Sequence, residues 1–204
     1  MGRIHRRYSV MFAAICVVNI VANLVAVKIV KFPLLNVPVD CGIYVFPIGY
    51  VLTDLLQDKY GRREANYVTR LSLLFSVATM MVLAIMTLIP PYPGWENNEA
   101  FKSIYGMTAR VTIASVIAYL SRFINNEIFA EIRMRRKRFF TAAIISTFVA
   151  QIIDTVLFET IAFLGVLPLA DFMKQAVFAL IAALLLEAIT TVIATFIREN
   201  FFAF

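Results

Sequence analysis

Six ionisable residues stand inside stretches otherwise too apolar for water: Asp54, Arg122, Glu127, Asp154, Glu159 and Glu187. A carboxylate or guanidinium at the centre of a bilayer costs about 2.5 to 3.5 kcal/mol on insertion scales, so such groups must face protein or water. Together they imply a shared polar interior. Helical spacing organises them, since residues three, four, seven and eleven apart share one face. Thr112, Ser115, Tyr119, Arg122 and Asn126 form one stripe, and Thr147, Gln151, Asp154, Thr155 and Phe158 form another. A short connector separates the two stretches, so their helices are expected to be antiparallel neighbours with Arg122 and Asp154 at similar depth. An Arg122–Asp154 ion pair is predicted, either serving a ligand or simply neutralising itself and fixing helix packing. Glu159 falls about 140° around the helix from Asp154, toward another helix or the outer surface.

A second set of residues lies where an apolar stretch is interrupted by Pro47 and Gly49. Backbone groups freed by such a break are tolerated in a membrane only beside protein or a cavity. Phe46, Thr53, Asp54, Gln57 and Asp58 are the residues concerned, and Tyr44, Phe46 and Tyr50 add aromatic faces on which a flat ring can stack.

The elements that carry these groups follow from composition. The chain has 204 residues, 61% hydrophobic and 16% charged, with a mean hydropathy of +0.83. A soluble domain would carry about a quarter charged residues. The apolar content falls in blocks of about 20 residues, the length that crosses a hydrocarbon core of about 30 Å. Six spans are expected, over residues 8–30, 42–58, 67–89, 108–131, 139–166 and 172–197, in a single integral membrane domain covering 1–204. The first follows Arg3, His5, Arg6 and Arg7 but is too long for a signal core and lacks a small-residue cleavage pattern, so it reads as a retained helix. The fold class is therefore an all-α membrane protein with about six transmembrane helices, embedded in the lipid bilayer.

Orientation follows from the positive residues flanking the spans. Arg3, Arg6 and Arg7, then Lys59, Arg62 and Arg63, then Arg133, Arg135, Arg136, Lys137 and Arg138 fall on alternate connectors, whereas the others carry only Lys31, Lys102 and Lys174. Both termini are expected in the cytoplasm and the Pro90–Trp95 connector outside. This rule accounts for the net charge of +6 without nucleic acid as a partner, although the Arg133–Arg138 run suits anionic lipid.

Other chemistries find little here. Cys16 and Cys41 show no CxxC pair, and the single histidine, His5, lies in the basic tail. No metal or other cofactor is implied. Asp54 and Asp154 on different helices suit an intramembrane aspartyl enzyme, but its usual glycine context is missing, as are GxSxG and HExxH. A channel would need more polar residues per helix than single stripes. A scaffold remains a formal alternative. No Walker motif is present, so any ATP use would come from partner proteins.

The run Val39-Asp40-Cys41-Gly42-Ile43-Tyr44-Val45-Phe46-Pro47-Ile48-Gly49-Tyr50-Val51-Leu52-Thr53-Asp54-Leu55-Leu56-Gln57-Asp58-Lys59-Tyr60-Gly61, with Ala65, resembles the hallmark of the queuosine precursor transporter family. Asn23 with Lys28 resembles its first helix, Arg110, Ala114-Ser115 and Ala118-Tyr119 its fourth, and Ser146-Thr147, Asp154-Thr155, Phe158, Ile161-Ala162-Phe163 and Gly165 its fifth. The resemblance covers about residues 20–165. It departs where Arg122 and Asn125-Asn126 stand in place of an expected Gln and Asp, and in the last span with Glu187.

The resemblance implies a six-helix importer of 7-deazaguanine bases, precursors of modified tRNA nucleosides, with a fold akin to the substrate-binding subunits of vitamin transporters. A subunit for another vitamin or nucleobase, working with external ATPases, is the alternative. A guanine-like edge offers adjacent N–H donors to a carboxylate, while Asn, Gln or Arg suits the acceptor edge and aromatic rings the faces. The small-molecule site is accordingly expected among Asn23, Phe46, Tyr50, Thr53, Asp54, Arg122, Asn126, Gln151, Asp154, Thr155 and Glu159. Asp154, Asp54 or Glu159 would supply the carboxylate, Asp154 first; Asn23, Gln151 or Asn126 the amide; Phe46 or Tyr50 the stacking face.

Overall fold

The structure, a computed structural model, describes residues 3–32, 37–135 and 138–201. Arg136 and Lys137 of the basic run lie outside the described residues. In chain order the elements are α1 (Arg3–Val25), β1 (Ile29–Lys31), β2 (Pro38–Asp40), a tight helical turn (Cys41–Tyr44), α2 (Phe46–Tyr60), α3 (Arg62–Leu88), α4 (Asn98–Ala118), α5 (Leu120–Met134), α6 (Phe139–Phe163) and α7 (Leu169–Phe201).

Among the described residues, five helical stretches are long and apolar enough to cross a membrane: Arg6–Val25, Arg62–Leu88, Asn98–Met134, Phe139–Phe163 and Leu169–Glu199. Helix α2, with 15 residues, reaches about 22 Å and is too short to cross the hydrocarbon core alone. The result is a multi-pass membrane protein. Pro47, expected to interrupt this span, instead sits in its first turn, where a missing N–H costs nothing.

Several boundaries differ from the sequence reading, most clearly in the first and fourth spans. The first span stops at Val25 rather than residue 30 because Ile29–Lys31 pairs antiparallel with Pro38–Asp40, Ile29 opposite Asp40. This hairpin was not foreseen; Phe32, Val39 and Ile43 bury its apolar side against Ala179, Ala182 and Ala183 of α7. The fourth span starts at Asn98, ahead of the expected 108, and is interrupted at Tyr119, between α4 and α5.

The start of α1 and the end of α7 meet α2 and α3 at one end of the bundle. There Gly61, at φ +88°, lets α2 reverse directly into α3. Tyr8 donates to Glu64 at 2.9 Å, and its ring meets Tyr60 edge to face at 5.2 Å. Arg198 of α7 and Arg133 of α5 both clasp Asp58 of α2. The hairpin lies at the opposite end, where Arg110 donates to the Ile161 and Leu164 carbonyls. It thereby satisfies the open C-terminus of α6 ahead of Gly165.

Candidate functional site

Two narrow polar cavities lie between the Tyr119 break and the hairpin. The first is lined by Asn19, Asn23, Ser72, Ser76, Arg122 and Asp154 among others. The second takes in Asp40, Gln151, Thr155 and Glu159. Phe46, Asp154 and Phe158 belong to both walls. A crevice between α3 and α4 is much roomier, but its lining of Met80, Met81, Val116 and Ile117 suits lipid chains.

Helices α1 and α3 frame the first cavity through a repeated contact. Asn19 donates to Ser72 at 2.9 Å and, one turn along, Asn23 donates to Ser76 at 2.7 Å. Ser115 of α4 donates to Asn23 at 2.5 Å. Two polar atoms in this wall, Asn19 Oδ1 and the Tyr119 hydroxyl, are buried without a protein partner. Gly49 opens the floor: a Cβ there would lie 3.1 Å from Asn19 Oδ1 and 3.4 Å from an Arg122 nitrogen.

The predicted Arg122–Asp154 ion pair does not form. Both groups line the first cavity, but no ion pair among the described residues joins them. The Arg122 guanidinium lies 4.7 Å from the Tyr50 ring centroid, an alternative home for a cation. Ser121 donates to Asp154 Oδ1 at 3.0 Å and is linked to the Tyr50 hydroxyl at 3.0 Å. The charges therefore face a common space instead of cancelling by contact.

Of the expected residues, Asn23, Phe46, Arg122, Gln151, Asp154, Thr155 and Glu159 line one cavity or the other. Tyr50, Thr53, Asp54 and Asn126 do not. Tyr50 is 1% exposed beneath Arg122 and supports it. Thr53 donates back to the Gly49 carbonyl at 2.8 Å. Asp54 is held by Asn125 at 2.8 Å and Thr147 at 3.5 Å, and Asn126 donates to Asn66 at 2.7 Å. These are packing networks. Phe46 remains as the aromatic face, set edge to face with Phe158 at 5.6 Å.

Sequence reasoning missed Asn19, Ser72, Ser76 and Asp40. The first three carried a readable signal, because Asn19/Asn23 and Ser72/Ser76 repeat one polar spacing of four in two apolar spans. Asp40 needed the hairpin, which carries it under α6 and α7. Burial pushes its carboxyl above the usual carboxylate range. Gly42 makes room for this approach, since a Cβ there would lie 2.7 Å from Asp40 Oδ1 and 2.8 Å from the Phe46 ring.

Residues 40–197 match the family described as "Putative vitamin uptake transporter". A protein of Bacillus subtilis (strain 168) named "Probable queuosine precursor transporter" is 28% identical over 165 residues, which cover 77% of this chain and 67% of that protein. No solved structure matches. The matched stretch begins at Asp40 and holds most of both cavity walls, and the chain belongs to the vitamin uptake transporter family.

Proposed function

We propose that the chain imports a 7-deazaguanine base, a queuosine-type precursor, across the cell membrane. The relative's printed name supplies the substrate class; the carrying observation is how the two cavities differ. The first contains a guanidinium, amides and hydroxyls, whereas the second contains carboxyls, Gln151 and Thr155 and no cation among its lining residues. A guanine-like base has the matching asymmetry, acceptors on one edge and adjacent N–H donors on another. Asp154, on the shared wall, accepts the donor edge; Arg122 and the Asn19/Asn23 amides serve the acceptor edge, and Phe46 contacts the face.

The Lys and Arg residues concentrate at the Gly61 end of the bundle, which supports placing that end, with both termini, in the cytoplasm. The hairpin then faces the outside. Purified protein should be stabilised in a thermal-shift assay by 7-deazaguanine more than by guanine or B vitamins. Asp154→Asn should weaken binding about 10- to 100-fold, the value of a hydrogen bond to a charged acceptor. No stabilisation of folded protein, or wild-type affinity in the variant, would overturn this reading.

A further inference from the structure

The second cavity contains a carboxyl pair that base recognition leaves unused. Asp40 and Glu159 are 3% and 2% exposed, and their carboxyls are in hydrogen-bonding contact. An ionised carboxylate has no hydrogen to give, so the contact exists only while one of the two carries a proton. Gln175 of α7 donates to Glu159 Oε2 at 2.9 Å, which fixes that side chain. Asp40 Oδ1 finds no N–H or hydroxyl donor, and neither does Gln151 Oε1, which lines the same cavity and belongs to a side chain 4% exposed.

The surroundings offer no cation in compensation. From α6 the pair is faced by Asp154, from α7 by Gln175, Ala179 and Ala183, and from the tight turn and α2 by Ile43, Phe46 and Pro47. Lys28, next to β1, is exposed, and Lys174 is directed at Asp171 at 4.0 Å. Arg122 lies in the other cavity, across Asp154. Two adjoining carboxylates in a buried, cation-free wall cannot both ionise, so a proton is the ligand this arrangement demands. An unpartnered amide oxygen in the same wall suits the water that would deliver it.

We propose that Asp40 and Glu159 form a proton-binding site coupled to base binding at Asp154. The inference rests on the import reading. By donating its N–H groups to Asp154 the base holds that side chain as a carboxylate, and this charge close to the pair keeps the proton there until the base leaves, so base and proton favour one another's binding. The proton enters from water at the hairpin end, binds a carboxylate oxygen of the pair, and leaves to water on the other side as the base is released. Symport of one proton per base is the outcome.

In proteoliposomes, radiolabelled 7-deazaguanine should accumulate about tenfold per unit of inward pH gradient for one proton per base. Asp40→Asn keeps a permanent hydrogen for Glu159, so gradient-driven accumulation should be lost and whatever base binding remains should no longer vary with pH; Glu159→Gln is the second variant. Infrared difference spectra across a pH titration should show a protonated-carboxyl stretch that both variants remove. Accumulation that persists in both variants, or a carboxyl band neither removes, overturns the proposal. If the wild type fails to exchange 7-deazaguanine, the import reading falls, while the infrared band still decides the proton site.

Discussion

Asp58 and Asp154 both point into one helical bundle, and they are held in opposite ways. Asp58, near the Gly61 end, has an arginine on each oxygen: Arg133 at 2.6 Å on Oδ1 and Arg198 at 2.6 Å on Oδ2. Asp154, under the hairpin end, accepts from Ser121 and faces Arg122 across a cavity without an ion pair. The pattern extends to their neighbours. Asp54 is closed off by Asn125 and Thr147, whereas Asn19, Tyr119 and Gln151 around the cavities each keep a buried polar atom without a protein partner, as Gln57 and Asn126 do nearer the Gly61 end. A carboxylate whose partners are complete ties helices together; one whose partners are incomplete retains capacity for a ligand.

The contrast is tested most severely by exchanging what is measured at each end. Asp58→Ala should give the largest loss of stability, about 3 kcal/mol, because it leaves two guanidiniums facing each other; their being about one-third exposed keeps the cost at the low end of the range for broken buried pairs. The melting temperature should fall while the protein that remains folded binds 7-deazaguanine normally. Asp154→Asn should do the reverse, weakening binding with no loss of melting temperature. If Asp154→Asn melted lower and Asp58→Ala bound less, the division of labour would be the wrong way round.

Asn125→Ala comes next. Asn125 is 1% exposed and supplies the 2.8 Å donor to Asp54, which is itself fully buried. Removing it leaves the carboxyl only the weaker Thr147 contact at 3.5 Å. A loss of about 2 kcal/mol is expected. Neither residue lines a cavity, so affinity measured by titration calorimetry should stay within twofold of wild type; a larger change would draw this network into the binding site.

How much of this was legible in sequence depended on distance along the chain. The apolar blocks located the membrane-crossing helices, since bilayer thickness dictates their length directly. The polar stripes of the fourth and fifth spans brought Arg122 and Asp154 to one cavity, because helical periodicity and a short connector suffice for that. Their direct pairing could not be read from depth alone, as Tyr50 and Ser121 compete for the two groups. The hairpin was hidden for a related reason: Ile29–Phe32 is apolar enough to continue a helix, and only Pro38–Asp40 returning beside it makes a strand. Asp54 lies off both cavities, since a buried carboxylate announces a polar environment in sequence but not whether neighbouring side chains already supply it.

Glu127 sharpens the same distinction from its weakest side. In the sequence it belongs with the intramembrane charges, one turn past Arg122 and Phe123 in an apolar stretch. In the structure it pairs with Arg62 at the Gly61 end, and the two side chains are 54% and 52% exposed. An exposed ion pair contributes between nothing and about 1 kcal/mol, since water or headgroups solvate either partner alone. Glu127→Gln should therefore shift stability by less than about 0.5 kcal/mol and leave base affinity unchanged in a melting and titration series run beside Asn125→Ala. A loss comparable to that of Asn125→Ala would mean that the Gly61 end is a connected network in which rim charges share the burden with Asp54 and Asp58. A wild-type result would confine that burden to the buried carboxylates, which is what their complete sets of partners require.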